Sequence, residues 1–513
     1  MADAVPHWHD GYRKDLEYTL GVYTFLNPDL LLMNAVMRGV RPCTSITAND
    51  EGNPRRLVYC DLGCGQGITT NLMAARDPDG QYFGIDYSAT MIANARSLAA
   101  DAKLGNVTFL EMSFANLHSL DIPDCDVIVL HGIWSWIDPA LRQPLTDFIA
   151  RKLKPGGLCF VSYNCAVGRN DDPMRQLLRL AERTSRQQGE ARILEAVTMA
   201  NAVAKGGAKF FRHNPGTAER LASLPGKGAR YVAHEYLNDA WHPTYFKDVA
   251  GQLSKAGLGY VGSADLVWNR NDLSLPDEAY PLLQRLSAVE DVEFIKDIWA
   301  GNAFRKDIFV KGRTILSAVE QEKLLAPLRF AAIRPRDLLK TQIEVPVGFA
   351  NLDPALFGKV FDRLQQGPVS GNELADLARS HGSSLLQVLE PLLIANYIAL
   401  CAPESAGRRI TESLARFDDA VQALNRKGQD LHVVSLPGLA TATALLPLDY
   451  LIWQAGREGS KNRAQAVFDQ MKRVGRKVVH NGDIVDDENQ ALKLLADTVK
   501  LYDMHVAPVL IAG

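Results

Sequence analysis

The stretch Arg55–Gly67, RRLVYCDLGCGQG, decides how this chain is read. Leu57-Val58-Tyr59-Cys60 is a short apolar run of the kind that forms a buried strand. It ends in Asp61 and passes through Gly63, Gly65 and Gly67 at alternate positions. Ile68, Leu72 and Ala75 then recur at helical spacing, so the glycines join a strand to a helix. A backbone that turns this sharply needs φ > 0, and a side chain there would block a ligand's approach. The motif predicts a nucleotide-type binding loop.

Strand and helix keep alternating beyond it. Gln81–Asp86 reads as a second strand, and Ser88 caps a helix whose apolar side is Met91, Ile92, Ala95 and Leu98. Val107–Leu110 and Val127–Leu130 read as the third and fourth strands. Asp138-Pro139 starts another helix, and Lys154-Pro155-Gly156-Gly157 turns into a fifth strand, Leu158–Tyr163. The pattern predicts an α/β fold with a doubly wound, Rossmann-like parallel sheet that holds its ligand at the carboxyl ends of the strands.

Two features narrow the ligand. Asp86 closes the second strand roughly 20 residues after the loop, where a carboxylate can accept both ribose hydroxyls of a dinucleotide or an adenosyl group. Ile68 stands where a dinucleotide fingerprint has glycine, and the loop carries no lysine for phosphates. A loop without a phosphate partner suits a ligand with an amino acid at that end. Through DLGCGQG, GIDYS and KPGG, in that order on those strands, the chain resembles class I S-adenosylmethionine-dependent methyltransferases. The resemblance implies S-adenosyl-L-methionine as cofactor. It implies Asp61, Gly63, Cys64 and Gly65 around the methionine part, Asp86 on the ribose and Tyr87 along the adenine. Ser113, where such enzymes often have an acid, and Phe114 would flank the ring, with His131 at the edge of the same site.

Three further stretches sharpen the family. HGIWSWI (His131–Ile137), VSYN (Val161–Asn164) and HEYLNDAWHPTYFKDV (His234–Val249) are similar to bacterial methyltransferases with a methyltransferase regulatory domain. Among these are protein-lysine methyltransferases that act on outer-membrane proteins. The resemblance implies in-line methyl transfer with a protein lysine as the favoured acceptor. A small-molecule or glycan-precursor acceptor is one alternative, and a non-catalytic methyltransferase-like regulator or scaffold is another. His131 is the expected general base, with Trp134 and Tyr163 beside the reacting point. Tyr18, Tyr23, Trp134, Trp136 and Asn164 are the expected substrate contacts, aromatic walls being suited to an amine or its cation. The competing reading of the two tryptophans is that they bury their loop against the next helix. For the tyrosines it is core packing.

At 513 residues the chain exceeds one ordinary core. Residues 1–45 read as a helical leader and 46–315 as the cofactor-binding domain, with a helical insertion over 168–241 as lid or substrate reader. Residues 316–513 read as a mainly helical, winged-helix-like region. Three helices (Asp353–Leu364, Gly371–Ala378, Leu385–Ala395) precede a short strand at Tyr397–Cys401 there, and helices fill the rest. Asn372–Gly382 has no dense Lys/Arg cluster and the net charge is -3, so nucleic acid is not an expected partner. Dimerisation or protein docking is, which makes a homodimer an expectation. The N-terminus lacks a signal peptide's apolar core, and no apolar run reaches about 18 residues, so a cytoplasmic protein without membrane insertion is expected. Seven cysteines without a CxxC pair argue against a disulfide framework and structural zinc; no metal is expected.

Overall fold

A computed structural model describes residues 20–46, 55–169, 172–238, 240–403, 407–439, 441–480 and 483–512; Tyr18 lies outside them. Strands β1 (Val58–Leu62), β2 (Gln81–Asp86), β3 (Val107–Glu111), β4 (Cys125–Leu130), β5 (Leu153–Asn164), β6 (Leu258–Ser263) and β7 (Phe304–Lys311) form one sheet in the order β3-β2-β1-β4-β5-β7-β6. Strands β1 to β5 are parallel, and β7 runs antiparallel between β5 and β6. Because β1 has β2 on one side and β4 on the other, the strand order reverses at β1. That reversal opens a crevice at the end of β1, where the glycine loop begins. One expectation is corrected: Lys154–Gly157 lies inside β5 rather than before it. The register against β4 shifts between Cys125 and Val127, so the glycines bend the strand without ending it.

Helix α1 (Pro28–Met37) starts where the Asn27 side chain accepts from Asp29 N at 2.9 Å. Asp29, itself buried, pairs with Arg55 and Arg76 and ties α1 to the sheet. Helix α2 (Ile68–Arg76) leaves the glycine loop and is buried at every residue. A helix buried all round must be covered on its outer side. Helices α3 (Ala89–Asp101), capped by Ser88, and α4 (Arg142–Lys152) follow β2 and β4.

The insertion is helical: α5 (Asp172–Thr184), α6 (Gly189–Lys205), α7 (Lys209–His213), α8 (Pro215–Ser223) and α9 (Ala229–Tyr236). Met174, Leu178, Ile193, Val197, Leu221 and Val232 give it a core of its own. The chain returns through α10 (Phe246–Ser254) to β6. It then passes two single turns, α11 (Asn271–Ser274) and α12 (Tyr280–Leu283), and α13 (Val289–Ala300) before β7.

Beyond β7 come α14 (Ala318–Leu325), β8 (Arg329–Ala332), a hairpin of β9 (Gln342–Val345) and β10 (Gly348–Asn351), α15 (Pro354–Leu364), β11 (Val369–Ser370), α16 (Gly371–Arg379), α17 (Leu385–Ile394) and β12 (Ile398–Leu400). Reciprocal caps, Ser370 with Glu373 and Ser384 with Gln387, fix the starts of α16 and α17. Strands β11, β8 and β12 make a three-stranded antiparallel sheet beside the three helices, the winged-helix-like arrangement. Helix α18 (Gly407–Arg426) then lies across α2 and α3 and supplies the missing cover. Its Arg409 meets Asp79 at 2.7 Å, and Arg416 Nε donates to Ala102 O. The tract around Leu436–Trp453, expected in a helical region, contains a hairpin instead: β13 (Val433–Leu436) and β14 (Thr441–Ala444). β-branched Val433, Val434, Thr441 and Thr443 flank a Pro437-Gly438 turn there, which favours strands. Strand β14 packs on α2 and on the turn Thr24–Leu26. No described helix is long and apolar enough to cross a membrane.

Candidate functional site

Gly63, Gly65 and Gly67 all have positive φ, at +83°, +54° and +65°. A Cβ on Gly63 would sit 2.1 Å from Ile133 Cδ1, and one on Gly67 2.5 Å from Ala95 Cβ. Only glycine lets the loop lie this close to the end of β4 and to α3. Above the loop opens a cavity of about 200 Å³. Asp61, Gly63, Cys64 and Gly65 form its floor, with Asp86, Tyr87 and Phe114 along one side and His131 on another. The segment before α1 covers it as a strap through Leu20, Gly21, Tyr23 and Leu26, and Tyr23 N donates to Thr69 Oγ1 at 3.1 Å. His234, Glu235 and Asn238 reach it from α9 and the residues after it, and Trp136 and Phe304 also line it.

Two carboxylates set the electrostatics. Asp86 accepts from Gly65 N at 3.0 Å and from Ser88 N at 2.9 Å. Burial raises its pKa, and these backbone N–H groups pull it back. Asp61 accepts from Thr70 Oγ1 at 2.6 Å. Burial pushes its carboxyl up to about 7, opposed by the Thr70 bond and reinforced by the Asp86 charge. A ligand ammonium beside Asp61 favours the anion, so binding at low pH must release a proton. A group with a raised pKa in the free protein therefore makes affinity rise with pH through 7 and level off above it. Affinity for the ligand is expected to be about tenfold weaker at pH 6 than at pH 8. Calorimetry across that range checks it; a flat profile contradicts it, and Asp61→Asn should abolish the dependence.

His131 is packed in aromatic rings, with centroids 4.1 Å from Tyr23, 5.1 Å from Phe25 and 6.1 Å from Phe304. Burial, helped by the charge of Lys306, lowers its pKa to about 4. The imidazole is neutral at physiological pH, and the lowered pKa makes it a weaker proton acceptor than an ordinary histidine.

Four other predicted residues are not brought to the cavity. Ser113 instead caps the short 3-10 turn Phe114–Ser119, accepting from Ala115 N. Trp134 is 1% exposed, with the Arg142 guanidinium 5.5 Å from its ring centre, and buries its loop while Trp136 turns toward the cavity. Asn164 is buried, its backbone N–H bonded to Ser135 Oγ. Tyr163 belongs to a buried ionic network, donating to Asp307 Oδ2 at 2.6 Å. Arg305 is its centre, 2.7 Å from Glu293, 2.7 Å from Asp297 and 2.9 Å from Asp307. Tyr163→Phe should cost about 1 kcal/mol of stability and leave ligand affinity unchanged. A loss of affinity with no loss of stability would return Tyr163 to the site.

Sequence reasoning overlooked the contribution of His234, Glu235 and Asn238. In the sequence their stretch is marked only by its family likeness. Among the described residues, no group of three or more His, Cys, Asp or Glu side chains could hold a metal.

A methyltransferase-domain model matches residues 60–157, the span from the glycine loop to β5. A model of a predicted methyltransferase regulatory domain matches 228–311, from α9 to β7. An uncharacterized protein of Synechocystis sp. is 30% identical over 507 residues, 98% of each chain. The chain belongs to the S-adenosylmethionine-dependent methyltransferases with a regulatory domain. Trans-aconitate 2-methyltransferase of Methylobacterium nodulans is 29% identical over 198 residues, covering 39% of this methyltransferase and 64% of that one. The solved structure of PKMT2 from Rickettsia typhi in complex with AdoHcy superposes with a TM-score of 0.66 at 18% identity. It covers 94% of this methyltransferase and 97% of that chain, so the two share a fold through the C-terminal region. The enzyme uses S-adenosylmethionine. The cavity's residues fit that group: a loop of three positive-φ glycines at its floor, two carboxylates for an ammonium and a ribose, and no lysine among the described lining residues to hold a phosphate.

Proposed function

We propose that the enzyme methylates a lysine side chain of a protein. The observation that carries this is the cavity's lining, in which the aromatic Tyr23, Trp136 and Phe304 stand with Glu235 of the lid, whose carboxylate also faces Arg169 at 3.8 Å. Aromatic faces and a carboxylate attract an ammonium and guide the amine it becomes. Asp61 would hold the methionine ammonium and Asp86 the ribose, with Tyr87 and Phe114 beside the adenine. When bound, the cofactor supplies an electrophilic methyl on a sulfonium. The strap and lid exclude water, and the cavity wall orients the acceptor amine in line with that carbon. As the N–C bond forms and the S–C bond breaks, the amine nitrogen uses its lone pair, so its proton must already have gone to solvent. With His131 neutral and weakly basic, no side chain has to take it. The likeness in fold to PKMT2, solved in complex with AdoHcy, supports the reading.

Incubating the enzyme with tritiated methyl donor and cell lysate, then separating protein from small molecules, tests it. Label should enter protein and survive acid hydrolysis as methyl-lysine. Label confined to the small-molecule fraction would establish the second reading, a small-molecule acceptor.

A further inference from the structure

The hydrogen bonds around His131 fix which of its nitrogens carries the proton. Ser162, fully buried on β5, has two hydrogen-bond partners among the described residues: Gly132 N at 3.0 Å and His131 Nδ1 at 2.8 Å. Gly132 N–H can only donate, so the serine oxygen accepts from it. Among the described residues the serine proton then has one acceptor within reach, Nδ1. With the serine proton placed there, Nδ1 is unprotonated and Nε2 carries the hydrogen. Nε2 makes no hydrogen bond with any described residue, and its ring lines the cavity.

A second observation says what that hydrogen is for. No arginine or lysine is among the described residues that line the cavity. Asp61 answers a ligand's ammonium, and the donors that the described lining residues offer to an amino-acid carboxylate beside it are neutral ones, His131 among them. We propose that His131 is a fixed Nε2–H donor to the carboxylate of the cofactor's methionine moiety, and that Ser162 is the positioning residue that sets this tautomer. Burial among Tyr23, Phe25 and Phe304 keeps the ring neutral and so keeps the donor in place. The inference rests on the cavity holding the cofactor and is independent of which acceptor is methylated.

The test uses the full chain labelled with 15N-histidine, with the His131 signals identified by their absence in His131→Gln. Nδ1 should show a pyridine-type shift and Nε2 a pyrrole-type shift; the reverse pattern overturns the tautomer. Ser162→Ala should mix the two forms, and Ser162→Thr, which keeps the hydroxyl, should restore one. Binding supplies the second arm, using S-adenosylhomocysteine and methylthioadenosine, which lacks the amino-acid tail. His131→Phe should weaken the first about tenfold and the second less than twofold. Equal losses for both ligands, or no loss for either, overturn the carboxylate assignment. Binding that follows this pattern while no lysine is labelled would separate the inference from the proposed acceptor.

Discussion

Asp86→Ala is expected to weaken S-adenosylmethionine binding by about 3 kcal/mol, on the order of 100-fold. The carboxylate is held ready by Gly65 N and Ser88 N at 3.0 and 2.9 Å, and each oxygen keeps a lone pair for a ribose hydroxyl. Alanine removes two charge-assisted bonds and also frees the glycine loop from its anchor. Asp86→Asn, which keeps one acceptor oxygen, should lose only about tenfold. The turnover of saturated enzyme should change little, because the ribose lies away from the reacting carbon. An unchanged affinity in both variants would mean that the ribose is held elsewhere.

Arg305→Ala is expected to destabilise the fold by about 3–5 kcal/mol. The guanidinium faces Glu293, Asp297 and Asp307 at once, and all four groups are buried. Without it Lys296, 2.8 Å from Glu293, is the cation among the described residues that remains paired with the three carboxylates. Burial already raises the pKa of Asp307, and Arg305 is the largest influence lowering it. The network joins α13 to β5 and β7, so its failure should loosen the regulatory segment. The fall in the urea midpoint measures this, and a loss below about 1 kcal/mol would contradict it. Replacing Tyr163 tests the same network more gently.

Much of this was readable in the chain itself, for physical reasons. Tyr82, Phe83 and Ile85 make β2 legible at Gln81–Asp86, although the strand begins at an exposed Gln81 and carries Gly84. Three glycines at alternate positions announced positive φ, and all three have it. Pro155 and the glycines at the start of β5 misled, since a strand bent at a bulge carries the same residues as a turn. Trp134 and Trp136 could not be told apart, because which of two loop side chains points to the core depends on packing. His234 and Glu235 reach the cavity because the end of α9 returns to it from the insertion, which no local signal records. The docking of α18 on α2 was equally hidden, being a match between two apolar faces far apart in the chain.

The most direct test of the account is a calorimetric titration of the wild-type chain with S-adenosylhomocysteine, repeated at pH 6 and pH 8. The account predicts one site per chain, with proton release on binding at pH 6 and tighter binding at pH 8. Absence of any binding heat up to millimolar ligand would contradict it.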